Sequence, residues 1–150
     1  MTADEFLSQI KKYDMLIDNK LGERHKLWCL ATKITVPTDR EVVQTSGVSD
    51  KVGNIAAKLV DLENEIDSLI DDYINIQRDC IGVIEKLVDY PVEYRVIHKR
   101  YVLYRSFAEI ACEENYSLDG IMKIRRRALR RIEAILRERN EKTSEVQKCI

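Results

Sequence analysis

Between Ile55 and Leu87 the apolar side chains fall at Ile55, Leu59, Leu62, Ile66, Leu69, Tyr73, Ile76, Cys80, Val83 and Leu87, in steps that alternate four and three without exception. That rhythm keeps one stripe of an α-helix apolar for more than four heptads, so the segment must form a long helix packed along another helix. Further apolar residues at Ile70, Ile74, Ile81, Ile84 and Val88 widen the stripe in its second half, and such a face can meet more than one neighbour. Residues from Ala3 to Ile34 show the same spacing at Phe6, Ile10, Tyr13 and Ile17, with Leu21, Leu27 and Trp28 adding to the apolar content. Gly22 weakens the middle of that helix by about 1 kcal/mol relative to alanine. Each helix spans about 50 Å at the α-helical rise per residue. Their equal length fits an antiparallel hairpin within one chain, and the seam fits a dimeric coiled coil equally well.

The rest of the composition agrees with an all-α protein. Charged residues make up 34% of the 150 residues, with only five glycines and two prolines. This length suits one ordinary domain, or a small module joined to an elongated one. No run approaches the roughly 18 apolar residues of a membrane span, and Met1 to Lys12 does not read as a signal peptide, so a soluble cytoplasmic protein is expected. The four cysteines, at 29, 80, 112 and 149, contain no C-x-x-C, which argues against a disulfide framework or a zinc ribbon. Cys80 and Cys112 are expected to be packed and Cys149 loose. His25 and Cys29 stand four apart with no second ligand pair nearby, so no metal and no cofactor are expected.

Net charge is −1, but it is unevenly placed: residues 1–91 hold 11 Lys/Arg against 17 Asp/Glu, and residues 92–139 hold 12 against 7. A basic C-terminal module after an acidic helical segment implies different partners at the two ends. Residues 35–54 read as a linker, either mobile or functional given its length, with Ser49 and Asp50 as the N-cap region of the seam helix. Asp89-Tyr90-Pro91 should end that helix, and Pro91 should open another reaching about Tyr104. The resulting division is a long-helix segment over 1–90, a module over 91–139 and a flexible tail over 140–150.

Within the module, SFAEIACEENYSLDGIMKIRRRAL (106–129) reads as a helix-turn-helix. Ser106 and Glu109 make a capping box at the start of its first helix. Ile110 and Ala111 supply an apolar pair, Ala111 being small enough for a second helix to cross closely. Asn115 suits a left-handed turn residue, Tyr116 fills the turn, and Ser117 caps the second helix, which Ile121 and Ile124 pack back onto the first. Ile121, Ile124, Ala128, Ile132 and Ile135 form its core stripe. A helix at this spacing can enter the DNA major groove, and Lys123, Arg126, Arg127, Arg130 and Arg131 make it basic.

YRVIHKRYVLYRSFAEIACEENYSLDGIMKIRRRALRRI resembles the promoter −35-binding region of bacterial sigma factors, the likeness carried by Arg100-Tyr101, Ser106 to Ala111, Tyr116-Ser117 and Ala128 to Ile132. The whole layout, including VQTSGVSD, is similar to a family of small Gram-positive prophage proteins that includes late-gene transcription activators. The resemblance implies a sequence-specific DNA-binding regulator whose recognition helix, about 117–130, offers Ser117, Leu118, Asp119, Met122, Lys123 and Arg126 to the bases. Sigma factors usually carry charge where Leu118, Gly120 and Met122 stand here, so direct readout is thinner. Asp119 would accept from a cytosine amino group, Lys123 or Arg126 would reach a guanine, and Leu118 or Met122 would touch a thymine methyl. Arg100, Arg105, Arg127, Arg130 and Arg131 are assigned to phosphates; four or five such contacts imply a log–log salt slope of about −4.

The implied partners are double-stranded DNA, RNA polymerase and a second copy paired through the Ile55–Leu87 seam, with no membrane. Two alternatives share the same pattern: a DNA-packaging recognition subunit of the small-terminase kind, and a module that grips RNA polymerase instead of DNA. An enzyme is not expected, since the sequence has no Gly-rich phosphate loop, nucleophile elbow or metal cluster. The carboxylates of residues 61–72 are distributed like a solvated helix face.

Overall fold

The computed structural model describes residues 1–35 and 47–149. Among these residues there are five α-helices and no strand, an all-α fold. No helix among them is long and apolar enough to cross a membrane.

Helix α1 (Ala3–Thr35) begins at a reciprocal cap that the sequence reading overlooked. The Thr2 backbone N–H donates to Glu5 Oε2 at 2.8 Å, and the Glu5 N–H donates to Thr2 Oγ1 at 3.2 Å. Two of the otherwise unpaired donors of the first turn are thereby satisfied. Gly22 does not interrupt the helix. Helix α2 (Gly47–Glu85) starts earlier than expected, so Ser49 and Asp50 lie inside its first turn and are not its N-cap. Of the expected linker 35–54, residues 36–46 lie outside the described residues.

Helix α2 also stops earlier than the proline required. From Lys86 the chain closes tighter bonds, Leu87 N–H to Ile84 O at 2.9 Å and Tyr90 N–H to Leu87 O at 2.8 Å, which end the helical ladder while keeping Leu87 buried. Pro91 then opens α3 (Pro91–Tyr101) as expected, its missing N–H being harmless in a first turn. Helix α3 ends three residues short of Tyr104, because Tyr104 itself is left-handed at φ 57°. Helices α4 (Phe107–Glu114) and α5 (Leu118–Lys148) follow. Helix α5 continues past the expected stop at Arg139 and includes most of the expected tail. Residues 140–148 contain no glycine or proline to break the helix, even though every side chain there is exposed.

The chain divides into two compact units, one made of Met1–Lys12 with Ile74–Ile150 and the other of Tyr13–Tyr73. This differs from a boundary at residue 90. In the first unit, Ala3, Leu7 and Ile10 are fully buried, as are Cys80, Ile84, Val96 and Ile97. The Cys80 thiol donates to Phe6 O at 3.5 Å, and burial pushes its pKa up to about 12, so it packs as an inert group. Arg139 holds Asp79 with two bonds, at 2.7 and 3.0 Å.

In the second unit, Ile17, Leu62 and Ile66 are buried and Lys20 Nζ pairs with Glu65 at 3.2 Å. Further along α1, Trp28 shares a groove with Leu59, which precedes Glu65 on α2.

Five seam positions (Leu62, Ile66, Cys80, Val83 and Leu87) are buried in the single chain and the other five are half-buried. Cys112 is exposed, not packed, because it sits on the side of α4 opposite Ile110 and Ala111.

Candidate nucleic-acid interface

Helix α4 is fixed at both ends by local chemistry. Ser106 Oγ accepts from the Glu109 N–H at 3.2 Å, while Glu109 Oε2 accepts from the Ser106 N–H at 3.2 Å. At the other end Asn115 adopts φ 58°, ψ 40°, and its N–H donates to Ala111 O. The Tyr116 N–H also reaches Ala111 O, at 3.1 Å. Both bonds go to one of the carbonyls that a helix end leaves open. Two residues on, Ser117 Oγ accepts from the Gly120 N–H at 3.1 Å and starts α5. A β-carbon on Gly120 would stand 3.2 Å from Ser117 Oγ and 3.6 Å from the Tyr116 ring. Glycine is what allows the turn to close this tightly over the helix start.

Val96 of α3, Ile110 and Ala111 of α4, and Ile121 and Ile124 of α5 form one buried cluster, with Val92 and Phe107 against it. Three helices sharing this core make the helix-turn-helix a rigid platform, and Ala128 and Ile132 extend the buried stripe along α5. Ile135, expected in the same stripe, is half-buried.

The six base-reading candidates lie at the start of α5. Ser117, Leu118, Asp119, Lys123 and Arg126 are exposed and Met122 is half-buried. Asp119 and Lys123 face each other at 3.6 Å across one turn, both well solvated, so their attraction is weak.

The five phosphate candidates divide. Arg127 and Arg130 are exposed and, with Arg126, have no ion-pair partner among the described residues. The other three are engaged inside the module. Arg105 pairs with Glu113. Arg100 donates to Arg105 O at 3.1 Å and lies 4.2 Å over the Phe107 ring. Arg131 pairs with the buried Glu93 at 2.9 Å and stacks 3.5 Å over the Tyr90 ring. These contacts hold α3 against α4 and α5, because removing such a cation would leave an acid or a ring face without its partner.

Arg125 is the residue that sequence reasoning missed. Its guanidinium donates to Asp4 Oδ1 at 2.8 Å and to Tyr101 Oη at 3.2 Å, and Tyr101 Oη donates to the same Asp4 oxygen. Burial, then the Asp4 carboxylate, pushes the Tyr101 phenol up to about 12, so it stays protonated as a donor. The signal was present in the spacing. Ile121, Arg125, Ala128 and Ile132 are four, three and four apart, which puts Arg125 at the half-buried edge of the buried stripe.

His25 Nε2 and Cys29 Sγ lie 3.6 Å apart, and no group of three metal-binding side chains occurs among the described residues. No family model, curated protein or solved structure matches the chain.

Proposed function

We propose that the chain is a sequence-specific DNA-binding transcription regulator of the phage type, which docks residues 117–130 of α5 in the major groove. The observation that carries this reading is the outward row of unpaired arginines, Arg126, Arg127 and Arg130, directly beyond a capped helix-turn-helix. Every other arginine between 95 and 131 has a partner within the chain. Unpaired guanidinium groups suit phosphate oxygens, which Arg127 and Arg130 would bind without reading sequence, while Arg126 adds its charge and can reach a base edge. Such a protein works where DNA is, in the cytoplasm of its host.

The long helices serve partners of another kind. Trp28 is 63% exposed and Val60 57% exposed on the second unit. RNA polymerase is the partner this regulator reading implies. A second copy on a paired half-site would bring a second recognition helix to the DNA.

Titration of labelled duplex DNA across a salt series tests the proposal. Three unpaired cations predict a log–log slope of about −3, shallower than five phosphate contacts would give. Arg130→Ala should weaken binding to all sequences alike and flatten the slope by about one. Lys123→Ala should change which sequences are bound. A salt-independent response would remove DNA as the ligand and leave the polymerase-binding module as the reading.

A further inference from the structure

We propose that the start of the recognition helix selects thymine, through C5 methyl groups packed against Leu118 and Met122. This rests on the DNA-binding reading above and specifies which feature of the groove is recognised. Leu118 opens α5 and is 55% exposed, and Met122 is half-buried one turn further on. Residues four apart share a helix face, so the two form a short apolar row.

Beside that row, Ser117 Oγ accepts from the Gly120 N–H at 3.1 Å and position 120 has no side chain, while the solvated Asp119 and Lys123, 3.6 Å apart, lie on the neighbouring face for polar base edges. An apolar row cannot satisfy base donors and acceptors, which would lose their water for nothing. The apolar group that base pairs display in the major groove is the thymine methyl. Tyr116, 45% exposed and packed beside Gly120, extends the same surface onto the turn. A nucleic acid fits this surface better than a protein because Arg126, Arg127 and Arg130 stand unpaired on the following turns. They supply the positive charge that holds an apolar tip against a phosphate-lined groove.

The test uses the full chain and a random-sequence duplex pool. The enriched duplex is remade with single thymines replaced by deoxyuridine, which keeps base pairing and the O4 acceptor but removes the methyl. Loss of one methyl contact is expected to weaken binding about fourfold at one or two positions. Leu118→Ala or Met122→Ala should abolish that discrimination at one of them while keeping the salt slope. Enrichment with no thymine-to-uracil effect at any position overturns the proposal, as does discrimination that survives both substitutions. Salt-dependent binding without enrichment overturns thymine selection alone. Absence of salt-dependent binding to any duplex overturns the DNA-binding reading and this inference with it.

Discussion

At Asn115 the backbone takes φ 58°, ψ 40°, a conformation that crowds the β-carbon of an ordinary residue by about 1–2 kcal/mol. Asparagine and glycine tolerate it, and β-branched residues do not. Asn115→Val should therefore lower the stability of the module by about 1–2 kcal/mol, while Asn115→Gly leaves it within a few tenths. Urea denaturation of the two variants checks this, and equal stabilities would mean that the turn is not held in the left-handed form. This residue was legible in the sequence because its signal is local: an apolar pair, an acidic end, then Asn-Tyr-Ser. The arginines were less legible. Composition counts cations, but the fate of Arg105 or Arg131 depends on whether Glu113 or Glu93 is brought within reach, and that is decided only when the helices pack.

Two like charges crowd the last turn of α4, where the helix dipole also disfavours acids. Glu113 and Glu114 are held there by cations from α3 and the turn after it. Lys99 Nζ lies 2.7 Å from Glu113 and 2.9 Å from Glu114, Arg95 reaches Glu114 at 3.1 Å, and Arg105 meets Glu113. The Lys99 bond, with the Arg105 charge, holds the Glu113 carboxyl below its ordinary range. Burial would raise Glu114, but the bonds from Lys99 and Arg95 outweigh it and hold that carboxyl low as well. Both folded-state values lie below the unfolded ones, so the stabilisation is complete above the ordinary carboxylate value of about 4.3 and fades as pH falls through the lower folded values. Thermal midpoints measured from pH 7 to 2 should drop more steeply below about pH 4.3 in the native chain than in a Glu113→Gln, Glu114→Gln double variant. Parallel curves would show that the cluster does not couple α3 to α4. At this scale the starts of α3, α4 and α5 were legible from proline and caps, whereas the cap of α1, the start of α2 and the end of α5 were not. A fully solvated helix leaves no apolar pattern to mark how far it runs, and residues 140–148 contain no breaker.

The seam predicted that α2 would be covered, but not by what. Spacing records which face of a helix is apolar and says nothing about which distant segment will meet it. Nor does it show that the first twelve residues belong with the helix-turn-helix. Leu7 is fully buried there, and Asp4 ties Tyr101 to Arg125. Leu7→Ala should destabilise the first unit by about 2–5 kcal/mol, read as a lower midpoint in thermal unfolding. A midpoint unchanged from the native chain would show that residues 1–12 are dispensable to that unit. The same arrangement has a consequence for biosynthesis. Residues 13–73 form their unit from one continuous stretch, so its contacts become available early in translation. Residues 3–10 leave the ribosome before any of these, yet their partners at 80, 101 and 125 are still to be made. The first unit closes across an intervening stretch of some sixty residues and is assembled last, so a ribosome that stalls before Arg125 releases a chain whose N-terminal apolar turn is still unclaimed.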